Sequence, residues 1–225
     1  MFRKLFELWH KEDLLHQALS DANDMLRKAF ELFKLSVMPL LFNRSINAQE
    51  IYDMDREINS YEVNIRRKVM EHLSISPKQD TTAALVLTTI TVDIERIGDY
   101  SKNFIELWEL YGGAFTEAPV FERLKKVYDN TVDMFESTIK ALAEADANLA
   151  REVMEKHILN SKDCEEIIAA LVRTPTSAEN LAPNQEVLAA LTSRYLKRVS
   201  AHLKNIASSV VNPFDRIGYK PPNFS

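Results

Sequence analysis

The run Glu95-Arg96-Ile97-Gly98-Asp99-Tyr100-Ser101-Lys102-Asn103 places Glu95, Asp99 and Asn103 at successive i, i+4 steps, one face of a helix. Like charges at that spacing repel by about 0.2–0.5 kcal/mol on an exposed helix, and by more when buried. A cation between them would turn the cost into a gain. A faded copy follows in Arg198-Val199-Ser200-Ala201-His202-Leu203-Lys204-Asn205. Arg96 and Arg198, like Asn103 and Asn205, stand 102 positions apart. The same offset matches Ile65 with Ile167, Ile51 with Val153, Ile97 with Val199 and Phe33 with Phe135. A fixed offset over so long a stretch points to duplication of one helical unit.

Composition agrees with helices. Only 4 glycines in 225 residues leave little turn chemistry for a many-stranded sheet, and the strong helix formers Leu, Ala and Glu are the commonest residues. Formal net charge is −5 and the pI about 5.6, which argues against non-specific nucleic-acid binding. A lone cysteine, Cys164, makes no internal disulfide and reads as a small buried hydrophobe. The most apolar window, Ala83 to Val92, is too short to span a bilayer and suits a central core helix. No signal peptide is visible, because Glu7, Lys11, Glu12 and Asp13 break the first apolar residues. The expectation is a cytoplasmic, all-α protein.

Punctuation marks six helices. The first runs from about His10 to the low forties, with Pro39 ending or kinking it. The second opens at Asn47, with Glu50 as box partner, and continues to about Leu73. Ser76, Pro77 and Gln79 read as the start of the third, which stops at Gly112-Gly113. The fourth follows Pro119, the fifth starts at Asp146, and the sixth opens at Thr176 or after Pro183 and ends before Pro213. The tail through Pro221-Pro222 reads as extended. Two three-helix repeats result, 1–113 and 114–225.

In an antiparallel pair, residues equally far from the turn lie level. A turn centred near residue 75 sets Asp55 level with Glu95, with Asn59 and Glu62 on the same side of their helix. Oxygen donors without nearby His or Cys favour iron, manganese, magnesium or calcium over structural zinc. The candidate metal ligands are therefore Asp55, Asn59, Glu62, Glu95, Asp99 and Asn103. The plainer alternative pairs the acids with Arg96, Lys102 or Arg66. In the second repeat His157, Ser161, Lys197 and Ala201 replace Asp55, Asn59, Glu95 and Asp99. A lysine there repels a cation, so any cluster belongs to the first repeat. Gly98, costly in a helix by about 1 kcal/mol, suggests close approach of a neighbouring helix.

Glu95-Arg96-Ile97-Gly98-Asp99 with Asn103 and Glu106 closely resembles the signature of the PhoU family, and Asp55-x-x-x-Asn59 with Glu62 resembles its companion motif. The resemblance covers essentially the whole chain. It implies two three-helix bundles related by a pseudo-twofold axis, with acidic motifs able to hold iron- or zinc-type clusters. It further implies a non-enzymatic peripheral regulator, often dimeric, that couples a phosphate transporter, through its ATPase subunit, to a sensor histidine kinase. The altered second repeat suggests a divergent member serving another phosphate transporter, such as a coupled carrier.

Three other readings compete. A metal-free helical scaffold for another anion transporter shares every expectation about the fold. A di-metal carboxylate oxidase needs two Glu-x-x-His pairs, and Glu7-x-x-His10 is the only one. The opening segment Met1 to Trp9 is amphipathic and suits either a docking role or an extension of the first helix. His16, His72, His157 and His202 read as scattered surface or helix-end residues.

Overall fold

The computed structural model describes residues 14–75, 80–113, 115, 118–173 and 181–219. The chain alternates long helices with short connections: α1 (Leu14–Phe42), α2 (Ala48–Ile75), α3 (Thr81–Tyr111), α4 (Pro119–Glu144), α5 (Ala147–Arg173) and α6 (Pro183–Val211). A 3-10 turn, Phe214–Arg216, follows. Among the described residues there is no strand.

Local chemistry explains most boundaries. Asn47 opens α2, its Oδ1 accepting the Gln49 backbone N–H at 3.1 Å. Asp146 opens α5 in the same way, through Asn148 N at 2.8 Å and Leu149 N at 3.2 Å. Gly112 closes α3 in the left-handed region at φ 70°. Of the two roles expected of Pro39, ending α1 is not the one it plays, since the helix continues through it to Phe42. Asn43, with φ 51°, supplies the stop. The Ser76–Gln79 start and the Thr176 option lie outside the described residues, as do Met1 to Trp9, Glu7-x-x-His10 and Pro221-Pro222. The third helix opens at Thr81 and the second runs to Ile75. The connection between them is therefore centred on residue 78, not 75.

Helices α1, α2 and α3 pack together, as do α4, α5 and α6; α3 on α6 and α1 on α4 join the two sets. In α2 and α5 a narrow stripe is buried, Ile51, Ile58 and Ile65 in one and Val153, Asn160 and Ile167 in the other. These are counterparts at the 102-residue offset. Along α3 the buried positions extend from Ala83 through Ile97 and Gly98 to Leu107, as expected of a central helix.

The junction places residues against their own copies. Phe33 and Phe135 lie 5.2 Å apart between ring centroids, and Tyr100 stacks on His202 at 5.8 Å. Each is the other's equivalent under the offset, so a pseudo-twofold axis passes between the members of both pairs. A polar link runs beside it. The Asp93 carboxylate accepts from His202 Nδ1 at 2.7 Å and from Asn205 Nδ2 at 3.0 Å. His202 is thus a buried junction residue and not a surface one. His72 is also buried, 3.0 Å from the Asp80 carboxylate. Arg198 Nε donates to the Tyr100 hydroxyl at 3.0 Å.

Candidate functional site

The acidic face lies where α2 meets α3. With the turn centred on residue 78, Asp55 stands level with residue 101 and not with Glu95, roughly one and two-thirds helical turns from the expected partner. Its contacts follow that register. Asp55 Oδ2 accepts from Lys102 Nζ at 3.3 Å. A methyl placed on Gly98 would sit 3.7 Å from Asp55 Oδ1 and 3.4 Å from Ile58 Cδ1 and Cγ2. The close approach of a neighbouring helix at Gly98 is therefore real, and Ile58 and Asp55 provide it.

Each candidate side chain has a place in this register. Asp55 is buried, its Oδ1 lacking a hydrogen-bond partner among the described residues. Arg96 ties the acids of α3 together, with Nη1 2.9 Å from Asp99 Oδ2 and Nε 3.5 Å from Glu95. Lys102 reaches both Asp55 and, at 3.7 Å, Asp99. Glu62 is held by Arg66 at 2.7 Å within α2. Asn59 is exposed, and Asn103 half-buried one turn beyond Asp99.

The electrostatics reflect crowding of like charge. Burial, together with the negative charges of Asp99, Glu62 and Asp55, raises Glu95 above the usual carboxylate range, against the opposing pull of Arg96. Burial alone would lower Lys102, but the charge and hydrogen bond of Asp55, with Asp99 and Glu106, hold it above the usual lysine value.

These acids converge as a face but not as a ligand cage. Among the described residues no three His, Cys, Asp or Glu side chains are grouped to hold one metal ion. Lys102 bridges Asp55 and Asp99, where a shared cation would have to lie. The ion pairs to Arg96, Lys102 and Arg66 are those of the plainer alternative.

The second repeat repeats the geometry with different chemistry. His157 Nδ1 lies 3.0 Å from Ser200 Oγ, the same pair of positions as Asp55 and Gly98. Lys197 Nζ bonds Glu165 at 2.5 Å. Burial, with the charges of Lys204 and Lys197, pushes His157 down to about 4. Sequence reasoning passed over Lys204, the counterpart of Lys102. The signal was present: the lysine persists at the offset while both of its acidic partners disappear.

Comparison with known proteins gives one consistent answer. A family model described as the PhoU domain matches twice, over residues 15–107 and 124–210. A phosphate-specific transport system accessory protein PhoU homolog from Synechocystis is 23% identical over 203 residues, covering 88% of both chains. PhoU homolog 1 from Thermotoga maritima is 22% identical, covering 90% of this chain and 88% of its own. Among solved structures, PhoU from Pseudomonas aeruginosa superposes with a TM-score of 0.73 at 22% identity, over 88% of this chain and 95% of that one. The phosphate transport system regulatory protein PhoU from Streptococcus pneumoniae gives 0.76 at 16%, over 88% and 93%.

Proposed function

The chain belongs to the PhoU family, and on that premise we propose that it regulates phosphate uptake and phosphate-responsive signalling by contact with a phosphate transporter. The observation that carries this reading is the double family match, whose first copy contains the Glu95–Asn103 run and the Asp55–Glu62 companion. Two relatives named as phosphate-specific transport accessory proteins align over nearly nine-tenths of the chain. Among the described residues no helix is long and apolar enough to cross a membrane. The protein accordingly meets the membrane through its partners, the transporter's ATPase subunit or a coupled carrier and a sensor histidine kinase. In this reading it works in the cytoplasm, at the inner face of the membrane, as a homodimer without catalysis of its own.

The pairing of Lys102 with Asp55 and Asp99 favours a metal-free form of this role, with the acidic face acting as a charge-balanced surface. Metal analysis of the purified protein beside a Glu95→Ala/Asp99→Ala variant tests that point. Equal and negligible metal is expected, and stoichiometric metal lost in the variant would refute it. The regulatory role is tested in the native host by capture of partners and by phosphate uptake after gene deletion. Recovery of a transport component, with uptake rising under plentiful phosphate, is the expected result. Unchanged uptake with no transport or sensor component recovered would overturn it.

A further inference from the structure

A cleft of about 420 Å³ opens on the outer side of the second bundle, between α5 and the end of α6. Its volume falls within the range of small-molecule sites. One face of α5 supplies Met154, His157, Ile158, Ser161 and Lys162, spaced at i, i+3, i+4, i+7 and i+8, and Lys204 closes it from α6.

Lys204 is the unusual member. In the first repeat its counterpart Lys102 pairs with Asp55 and Asp99. In the second those positions are His157 and Ala201, so the lysine persists and both of its carboxylates are gone. Among the described residues no carboxylate lies within ion-pair distance of Lys204. Its ammonium bonds instead to the Gly218 carbonyl at 2.5 Å, leaving two N–H donors. Burial lowers its affinity for a proton, against a more distant pull from Asp93.

The other charges nearby leave positive potential uncancelled. Glu165, the acid lining the cleft, is drawn to Lys197 at 2.5 Å and accepts from Ser161 Oγ at 3.3 Å. Lys162 is exposed and only loosely paired with Glu166, at 3.9 Å. The Ser200 hydroxyl donates to the Lys197 carbonyl at 2.9 Å. His157 Nδ1–H therefore donates to Ser200, leaving Nε2 as an acceptor. Met154 and Ile158 add an apolar wall.

We propose that this cleft binds a small organic oxyanion, its phosphate or carboxylate head on Lys204 and Lys162 and its apolar body against Met154 and Ile158. The ligand's charge takes the place of the acids the second repeat has lost. Binding uses the two ammonium N–H groups that the Gly218 carbonyl leaves free. Gly218 is the residue that seats the turn after α6, its N–H donating to Ser208 Oγ at 2.7 Å. The inference is independent of the regulatory role.

Phenyl phosphate, benzoate, inorganic phosphate and benzyl alcohol are titrated into the full chain by calorimetry, with amide chemical shifts recording where each binds. At least one aromatic anion is expected to bind with a Kd on the order of 0.1–1 mM, shifting amides of α5 and of residues 204–218. Which of the two binds distinguishes a phosphoryl from a carboxylate head. Inorganic phosphate is expected to bind several-fold more weakly, roughly the effect of losing a small apolar contact. Lys204→Met weakens the aromatic anion by about tenfold or more, the scale of one charge-assisted contact. Ala201→Asp restores the carboxylate three residues before Lys204, as Asp99 stands before Lys102, and removes binding while the thermal melt stays cooperative. Failure of both aromatic anions to bind at about 10 mM, some tenfold above the expected Kd, overturns the proposal. So does equal binding of benzyl alcohol, or affinity unchanged in both variants.

Discussion

Glu95 shows how one carboxylate records its neighbours. Its folded affinity for protons is raised, so ionisation opposes folding as pH rises through the ordinary carboxylate range and into the raised one. Glu95→Gln is expected to stabilise the protein at pH 7 by a few tenths of a kcal/mol, about 0.2–0.5 after allowance for solvent screening, the gain vanishing below the ordinary carboxylate range; urea denaturation at two pH values measures it. His157 behaves in the opposite sense. It faces Lys197, Lys204, Lys162 and Ser200, with Glu165 held away by Lys197. Its folded value near 4 lies below the ordinary 6.5, so the unfolded chain takes up the proton first. Stability falls as pH drops through that window, by about 2 kcal/mol after allowance for solvent screening. In His157→Gln the dependence between pH 6.5 and 4 flattens, which denaturation at graded pH detects.

At the scale of elements, the contact of α2 with α3 sets the register of the acidic face. Gly98 is the closest point, yet an added methyl meets Ile58 at ordinary van der Waals distance. Gly98→Ala is therefore expected to be neutral or to stabilise by up to about 1 kcal/mol through helix propensity. Gly98→Leu forces Ile58 aside and costs about 1–3 kcal/mol; thermal melts of the pair check both. The same contact shows what the sequence could disclose. Helix starts at Asn47, Pro119 and Asp146 were legible, because each signal is local to the turn it makes, and the start at Pro183 was one of two that the sequence offered. The pairing of α2 with α3 was not. It depends on where α2 ends and α3 begins, and a three-residue displacement of the turn centre exchanged Glu95 for Lys102 as the neighbour of Asp55. The acids themselves were found from spacing. Their pairing with Arg96 and Lys102 was weighed as the plainer alternative, and it is the arrangement observed. The cleft beside Lys204 was not legible, because its signal is the absence of carboxylate partners at the offset and not a motif that is present.

At the scale of the whole molecule, the polar link beside the pseudo-twofold axis ties α3 to α6. Asp93→Ala leaves His202 and Asn205 without their shared acceptor and is expected to cost about 2–4 kcal/mol. Asp93→Asn keeps an acceptor and costs less; guanidinium denaturation ranks the two. Tandem duplication was legible at this scale because the 102-residue offset preserves type as well as hydrophobicity, Phe with Phe and Ile with Ile. That the copies meet face to face was not, since no periodicity says which surfaces of two bundles touch. Phe33 against Phe135, and Tyr100 against His202, carry a historical implication. A ring that rests on its own duplicate is how two separate identical polypeptides greet one another. Fusing them into a single strand released each copy from the demand to be self-complementary everywhere else. One flank carries Glu95 and Asp99 where the other carries Lys197 and Ala201, an asymmetry that no strictly symmetric pair of identical chains could display.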